Sequence, residues 1–106
     1  MNDARLQARL RERIANSTVL FKRAFGYPPT RWLQMEAESG TLGACQRILA
    51  SRDFVSQLTP MWEKRLLGET VEAIVLEREF RSLFTEAELA EAKRRLSDLG
   101  YATDHP

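Results

Sequence analysis

Thr70-Val71-Glu72-Ala73-Ile74-Val75-Leu76 is the most apolar stretch of the chain, and Glu72 is its only charge. The other segments alternate apolar and polar residues at helical spacing, so each needs an apolar surface to lie against. The stretch therefore reads as a short central helix, capped by Thr70 and running to about Glu79, with the rest packed around it. Glu72 and Glu69 read as favourable charges at its first turn.

Outward toward the N-terminus, Leu6, Leu10, Ile14, Phe21 and Phe25 form the apolar stripe of a long first helix, with Asn2 or Asp3 as its cap. Arg5, Arg9 and Arg13 follow one another at four-residue spacing on a neighbouring strip. Asn16-Ser17-Thr18 is a weak spot, because these side chains compete for backbone hydrogen bonds. Gly26 stops the helix and Pro28-Pro29 forbids its continuation. Thr30 then reads as the cap of a second helix ending at Gly40, and Thr41 as the cap of a third. Residues 52–58 form a connector, after which Thr59-Pro60 opens a fourth helix that carries Met61, Trp62, Leu66 and Leu67 and closes at Gly68.

Beyond the central stretch, residues 80–84 connect to Thr85-Glu86-Ala87-Glu88, a capping box. The last helix buries Leu89, Ala92, Leu96 and Leu99; Gly100 caps it, and Tyr101 folds back on its last turn. No strand pattern or hairpin signal occurs. The reading is all-α: a single compact domain of five to six helices, a long first helix followed by short ones. Residues 1–25 are the basic amphipathic helix, 26–101 the compact helical core and 102–106 a flexible tail.

The 106 residues suffice for one core, and 43% hydrophobic with 29% charged residues is a globular balance. The net charge is +1, too small for a strong overall field, but it is unevenly placed. Residues 1–52 carry nine Lys and Arg against four Asp and Glu, a formal +5; residues 53–106 carry seven against eleven, a formal −4. The single cysteine, Cys45, excludes an internal disulfide, and no apolar run approaches the ~20 residues of a membrane span. A cytoplasmic, bacterial-style protein without membrane association fits these features.

Reactive constellations are missing from the sequence. One histidine, His105 near the end, and one distant cysteine make no zinc site, so no metal or cofactor is expected. Cys45 reads as an inert small hydrophobe. The glycines stand singly at helix ends rather than in a phosphate loop, and no carboxylate spacing marks a catalytic pair. An enzyme is not expected. Arg5, Arg9 and Arg13, with Lys22 and Arg23, are the one basic concentration, either a solvated face or a phosphate-binding surface that would not read sequence. Trp32 and Trp62 read as core residues; either one, if exposed, is the first interface candidate.

Several motifs succeed one another at fixed intervals: Gly26-Tyr-Pro-Pro-Thr-Arg-Trp-Leu-Gln-Met35, Gly40-Thr-Leu-Gly-Ala44, Leu58-Thr-Pro-Met-Trp-Glu63, Thr70-Val-Glu-Ala-Ile-Val-Leu-Glu77 and Ser82-Leu-Phe-Thr-Glu86. With these, the chain resembles a family of small, mostly uncharacterised bacterial helical proteins that occur alone or joined to other modules, some of them nucleic-acid enzymes. It departs from the family pattern at Gly40-Thr41, where two glycines are usual, and at residues 64–69, before the central helix. The resemblance implies an adaptor role and places Arg31, Trp32, Trp62 and Glu63 on a shared functional face. The expected function is therefore a non-enzymatic helical binding module, accompanying or regulating a nucleic-acid-processing system through a protein partner. The alternative is nonspecific DNA or RNA binding through the basic first helix, and that helix could also bury its stripe in a second copy of the chain.

Overall fold

The computed structural model describes residues 3–101. The expected cap at Asn2, the tail 102–106 and His105 lie outside the described residues. Five α-helices occur among the described residues: α1 (Asp3–Phe25), α2 (Thr30–Ala50), α3 (Leu58–Glu63), α4 (Val71–Val75) and α5 (Glu86–Ser97). Short 3-10 turns at Arg52–Gln57, Leu67–Glu69 and Arg78–Leu83 join them. The fold is the all-α domain expected, and its Cα radius of gyration, 12.9 Å, is that of a closely packed chain of this length (~13 Å).

The central stretch sits where its composition puts it. Ile74 is 1% exposed and Val75 0%, and Ala73 and Leu76 are buried beside them. Thr70 caps α4 by accepting from the Ala73 N–H at 3.2 Å. The helix is shorter than expected, since it ends at Val75 and gives way to the turn at Arg78–Leu83 instead of reaching Glu79. Around it pack Leu10 and Ile14 of α1, Ala44, Cys45 and Leu49 of α2, Phe80, and Ala92 and Leu96 of α5.

α1 runs unbroken through Asn16-Ser17-Thr18. The polar side chains there find partners without opening the helix. Thr18 Oγ1 donates to the Ala15 carbonyl, and the Ser17 hydroxyl donates to the Glu69 carbonyl. α2 is two helical segments joined at Gly40, whose φ of 75° and ψ of 170° break the helix at the expected stop. Neither expected threonine cap forms: Thr30 is already helical behind Pro29, and the Thr41 hydroxyl donates to Glu36 instead.

The start of α3 also differs. The turn at Arg52–Gln57 leads directly into Leu58, so the chain is already helical before Thr59-Pro60 and needs no cap there. Pro60 occupies the first turn, where its missing N–H has no intrahelical partner to lose. The helix ends early, at Glu63 rather than Gly68. Leu66 N–H reaches back to the Met61 carbonyl and Arg65 N–H to that of Trp62, the pair of bonds that closes a helix on a left-handed residue. Arg65 takes that role at φ 60°. A non-glycine residue pays about 1–2 kcal/mol for this conformation, and glycine returns part of the gain as unfolded-chain entropy. Arg65→Gly is therefore expected to stabilise the protein by about 0.5–1 kcal/mol in urea unfolding. An unchanged or lower midpoint would show that the Arg65 side chain contributes something its exposure does not reveal.

At the other end the expectations hold. Thr85 and Glu88 form both bonds of the capping box. Gly100 has φ 74°, and Tyr101 N–H folds back to the Leu96 carbonyl.

Candidate functional site

α1, α2 and α3 meet around a groove built from the turn at Gly26. Gly26, at φ 78°, donates its N–H to the Lys22 carbonyl and reverses the chain. That reversal lays Tyr27 edge-on against Phe21, with ring centroids 5.8 Å apart, while Phe21 and Phe25 stack at 4.4 Å. Pro28 and Pro29 continue one wall, and Pro60 and Met61 of α3 supply the facing one. The groove encloses about 290 Å³. A second chamber of about 120 Å³ lies deeper, toward Ile14, Ile74 and Phe54. The two share the side chains Phe21, Pro29, Trp32, Gln57 and Met61 as walls.

The four residues expected on a functional face fall on the elements that frame this groove. Arg31 is exposed at its edge, with its guanidinium 4.3 Å from the centroid of the Phe54 ring. Trp32 is buried as part of the core and walls both chambers. Its indole N–H is the one buried side-chain donor without a hydrogen-bond partner among the described residues. Trp62 is 51% exposed, which corrects the core reading. α3 is only six residues long and spends Leu58 and Met61 on the core, leaving Trp62 outside. Glu63 follows it, also exposed.

The basic residues of α1 divide into two groups. Arg9 pairs with Glu79 at 2.5 Å. Arg13 is held between Glu69 at 2.9 Å and Glu77 at 3.0 Å, fastening α1 to both flanks of α4. Arg5, Lys22 and Arg23 are exposed. Of the apolar stripe, Leu6, Leu10 and Ile14 are buried within the chain itself, while Phe21 and Phe25 are half-buried.

The core also holds an ion pair that the local hydropathy patterns do not announce. Arg95 of α5 is 2% exposed and reaches Glu72 of α4 at 3.1 Å. Its other N–H groups donate to the carbonyls of Ile48 at 3.0 Å, Leu49 at 3.2 Å and Ser51 at 2.8 Å, and to Glu91 at 2.6 Å. All five guanidinium donors are thereby used, on carbonyls at and just beyond the C-terminal end of α2 as well as on the two carboxylates. Glu72 stands in the first turn of α4 as expected, and both it and Glu69 are in addition the partners of arginines. Burial pushes the Glu72 carboxyl above the usual carboxylate range, against the pull of Arg95.

Glu91 shows the opposite behaviour. The Arg94 guanidinium, with Arg95 behind it, holds its carboxyl down at about 2. A depressed carboxylate contributes stability that is fully present above the ordinary value, near 4.5, and is lost as pH falls toward about 2. Glu91→Gln should therefore flatten the acid limb of the stability–pH curve between those values. An unchanged slope in urea unfolding at several acid pH values would refute the assignment.

Burial pushes the Cys45 thiol well above its ordinary range, which keeps it protonated and unreactive. Among the described residues no three His, Cys, Asp or Glu side chains come together as metal ligands, and no helix is long and apolar enough to cross a membrane. The chain was compared with protein-family models, curated proteins and solved structures, and none of the three gave a match.

Proposed function

We propose that the protein is a non-enzymatic binding module that engages a protein partner through the groove between α1, α2 and α3, with Arg31 and Trp62 at its margins. The observation that carries this reading is the exposure of Trp62 on α3, whose Pro60 and Met61 wall the groove. Tryptophan and arginine are the residues that most often dominate binding energy at protein interfaces. The motifs Gly26–Met35 and Leu58–Glu63, on which the family resemblance rests in part, are also the segments that build this groove, which supports the adaptor role that the resemblance implies.

The salt bridges favour this reading over nucleic-acid binding through α1. Arg9 and Arg13 are already neutralised by Glu79, Glu69 and Glu77, so two of the three stripe arginines would have to leave carboxylates before meeting phosphate. The test is a titration of a purified partner, first recovered with the intact chain and then remade separately. Trp62→Ala and Arg31→Ala should each weaken binding by tenfold or more, with the unfolding midpoint within about 0.5 kcal/mol of the parent because both side chains are exposed. Undiminished binding by both variants would remove this face from the interaction. Duplex DNA binding that falls steeply with salt and is weakened by Arg5→Ala would favour the nucleic-acid reading instead.

A further inference from the structure

We infer that the occupant of the groove is an acidic, extended segment of the partner that seats one ring-sized or branched apolar side chain against Trp32. This inference rests on the protein-binding reading above and specifies the chemistry of its ligand.

The size of the anchor follows from the inner chamber. It offers about 120 Å³ and is open on one side, which is room for a single ring or a branched aliphatic group. Its walls include Ile14, Phe21, Ile74 and Met61, so an aliphatic or aromatic group is the natural guest.

The sign of the segment's charge follows from which charges around the groove are already matched. Glu69 and Glu72 both line the inner chamber, and each is held by a guanidinium, that of Arg13 or of Arg95. The outer groove has one charged wall residue, Arg31, which pairs with no carboxylate among the described residues. Its contact with Phe54 fixes it in place and leaves its N–H edge for an acceptor. Lys64 adds a second cation, its ammonium 5.8 Å from the Phe25 ring centroid. Against these stands Glu63. In the lining of the outer groove the one unpaired charge among the described residues is that of Arg31, and a carboxylate-bearing segment complements it.

Trp32 supplies the third element. It is more than nine-tenths buried, forms part of the wall between the chambers, and carries the unpartnered indole N–H. A segment seated in the groove packs against this ring, so the indole N–H resonance reports its arrival.

A random dodecapeptide library selected on the intact chain tests this, with counter-selection on the Arg31→Glu, Trp62→Ala double variant. The expected binders are rich in Asp and Glu around one Phe, Leu or Ile. Titrated into 15N-labelled protein, they should shift the Trp32 indole N–H resonance, assigned by comparison with Trp62→Ala, which removes the other indole. Affinity should fall at least tenfold on Arg31→Glu, and at least fivefold between 50 and 300 mM salt, since screening shortens the reach of exposed charges. Binders that map to the groove but are neutral or basic would overturn this inference and leave the protein-binding reading standing. No enrichment over the double variant, binders that shift resonances elsewhere, or an indole shift produced only by single-stranded DNA would overturn both. A groove resonance that shifts with protein concentration alone would assign the surface to a second copy and overturn the acidic-segment assignment.

Discussion

Arg95→Ala is expected to destabilise the protein by about 3–5 kcal/mol, the usual cost of removing one partner from a buried ion pair. For a domain whose whole stability is about 5–15 kcal/mol, that is enough to lower the melting temperature by on the order of 20 °C or to prevent folding. The reason lies in what is stranded. Glu72, 3% exposed, would lose the guanidinium that compensates its charge, and the carbonyls of Ile48, Leu49 and Ser51 would lose a donor at the end of α2. Arg95→Lys should recover little, because one ammonium cannot reach acceptors on α2, α4 and α5 at once.

A double replacement separates the two roles of Arg95. In an isolated buried pair, substituting apolar residues for both partners is often neutral or stabilising. Here Arg95→Met with Glu72→Leu should be better than Arg95→Ala yet remain below the parent, because methionine leaves the α2 carbonyls without their donor. Full recovery would mean that the carbonyl contacts contribute nothing. A loss below about 1 kcal/mol for Arg95→Ala would mean that the pair is not the clasp between α2, α4 and α5.

Arg95 also shows where reading the sequence stopped. Capping and stopping rules depend on a few adjacent residues, so Gly26, Gly40, the Thr85–Glu88 box and the Gly100–Tyr101 ending were all legible. The stripe of α5 was legible too, but Arg95 stands three residues after Ala92, on that same stripe, and hydropathy alone assigns an arginine to solvent. The available signal was a pairing: a cation on one buried stripe and Glu72, a lone anion in the most apolar segment. Distance in sequence hid it, since 23 residues separate them.

Trp62 was misplaced for another reason. In a helix of six residues, less than two turns, no periodicity distinguishes a core tryptophan from an exposed one. The boundaries of α3 failed likewise, because Thr59-Pro60 is a start signal only when the preceding chain is not already helical. The groove itself depends on three elements meeting, and local patterns carry no such information. Of the four residues that the family resemblance singled out, Arg31 and Trp32 line the groove, while Trp62 and Glu63 stand on α3 outside its walls.

Ile74→Ala carries the second large effect, an expected loss of about 3–4 kcal/mol, against about 1 kcal/mol for Ile74→Val. α4 has five residues, too few to be helical alone, so burial and not its own hydrogen bonding must hold it. Ile74 is 1% exposed, and it also walls the inner chamber of the groove. Truncating it removes favourable burial and enlarges a space that already exists, leaving little for the neighbours to close around. Removing the cap by Thr70→Ala should cost less, about 1–2 kcal/mol, although that change sacrifices both the bond from Ala73 N–H and the one to the Leu67 carbonyl. The order of the two losses in urea unfolding is therefore the informative quantity. If Thr70→Ala proved the more damaging, α4 would be a locally ordered turn on which the core merely rests. If Ile74→Ala does, the seven residues from Thr70 to Leu76 are the surface on which α1, α2 and α5 are assembled, and the same substitution should widen the chamber in which an apolar anchor is expected to sit.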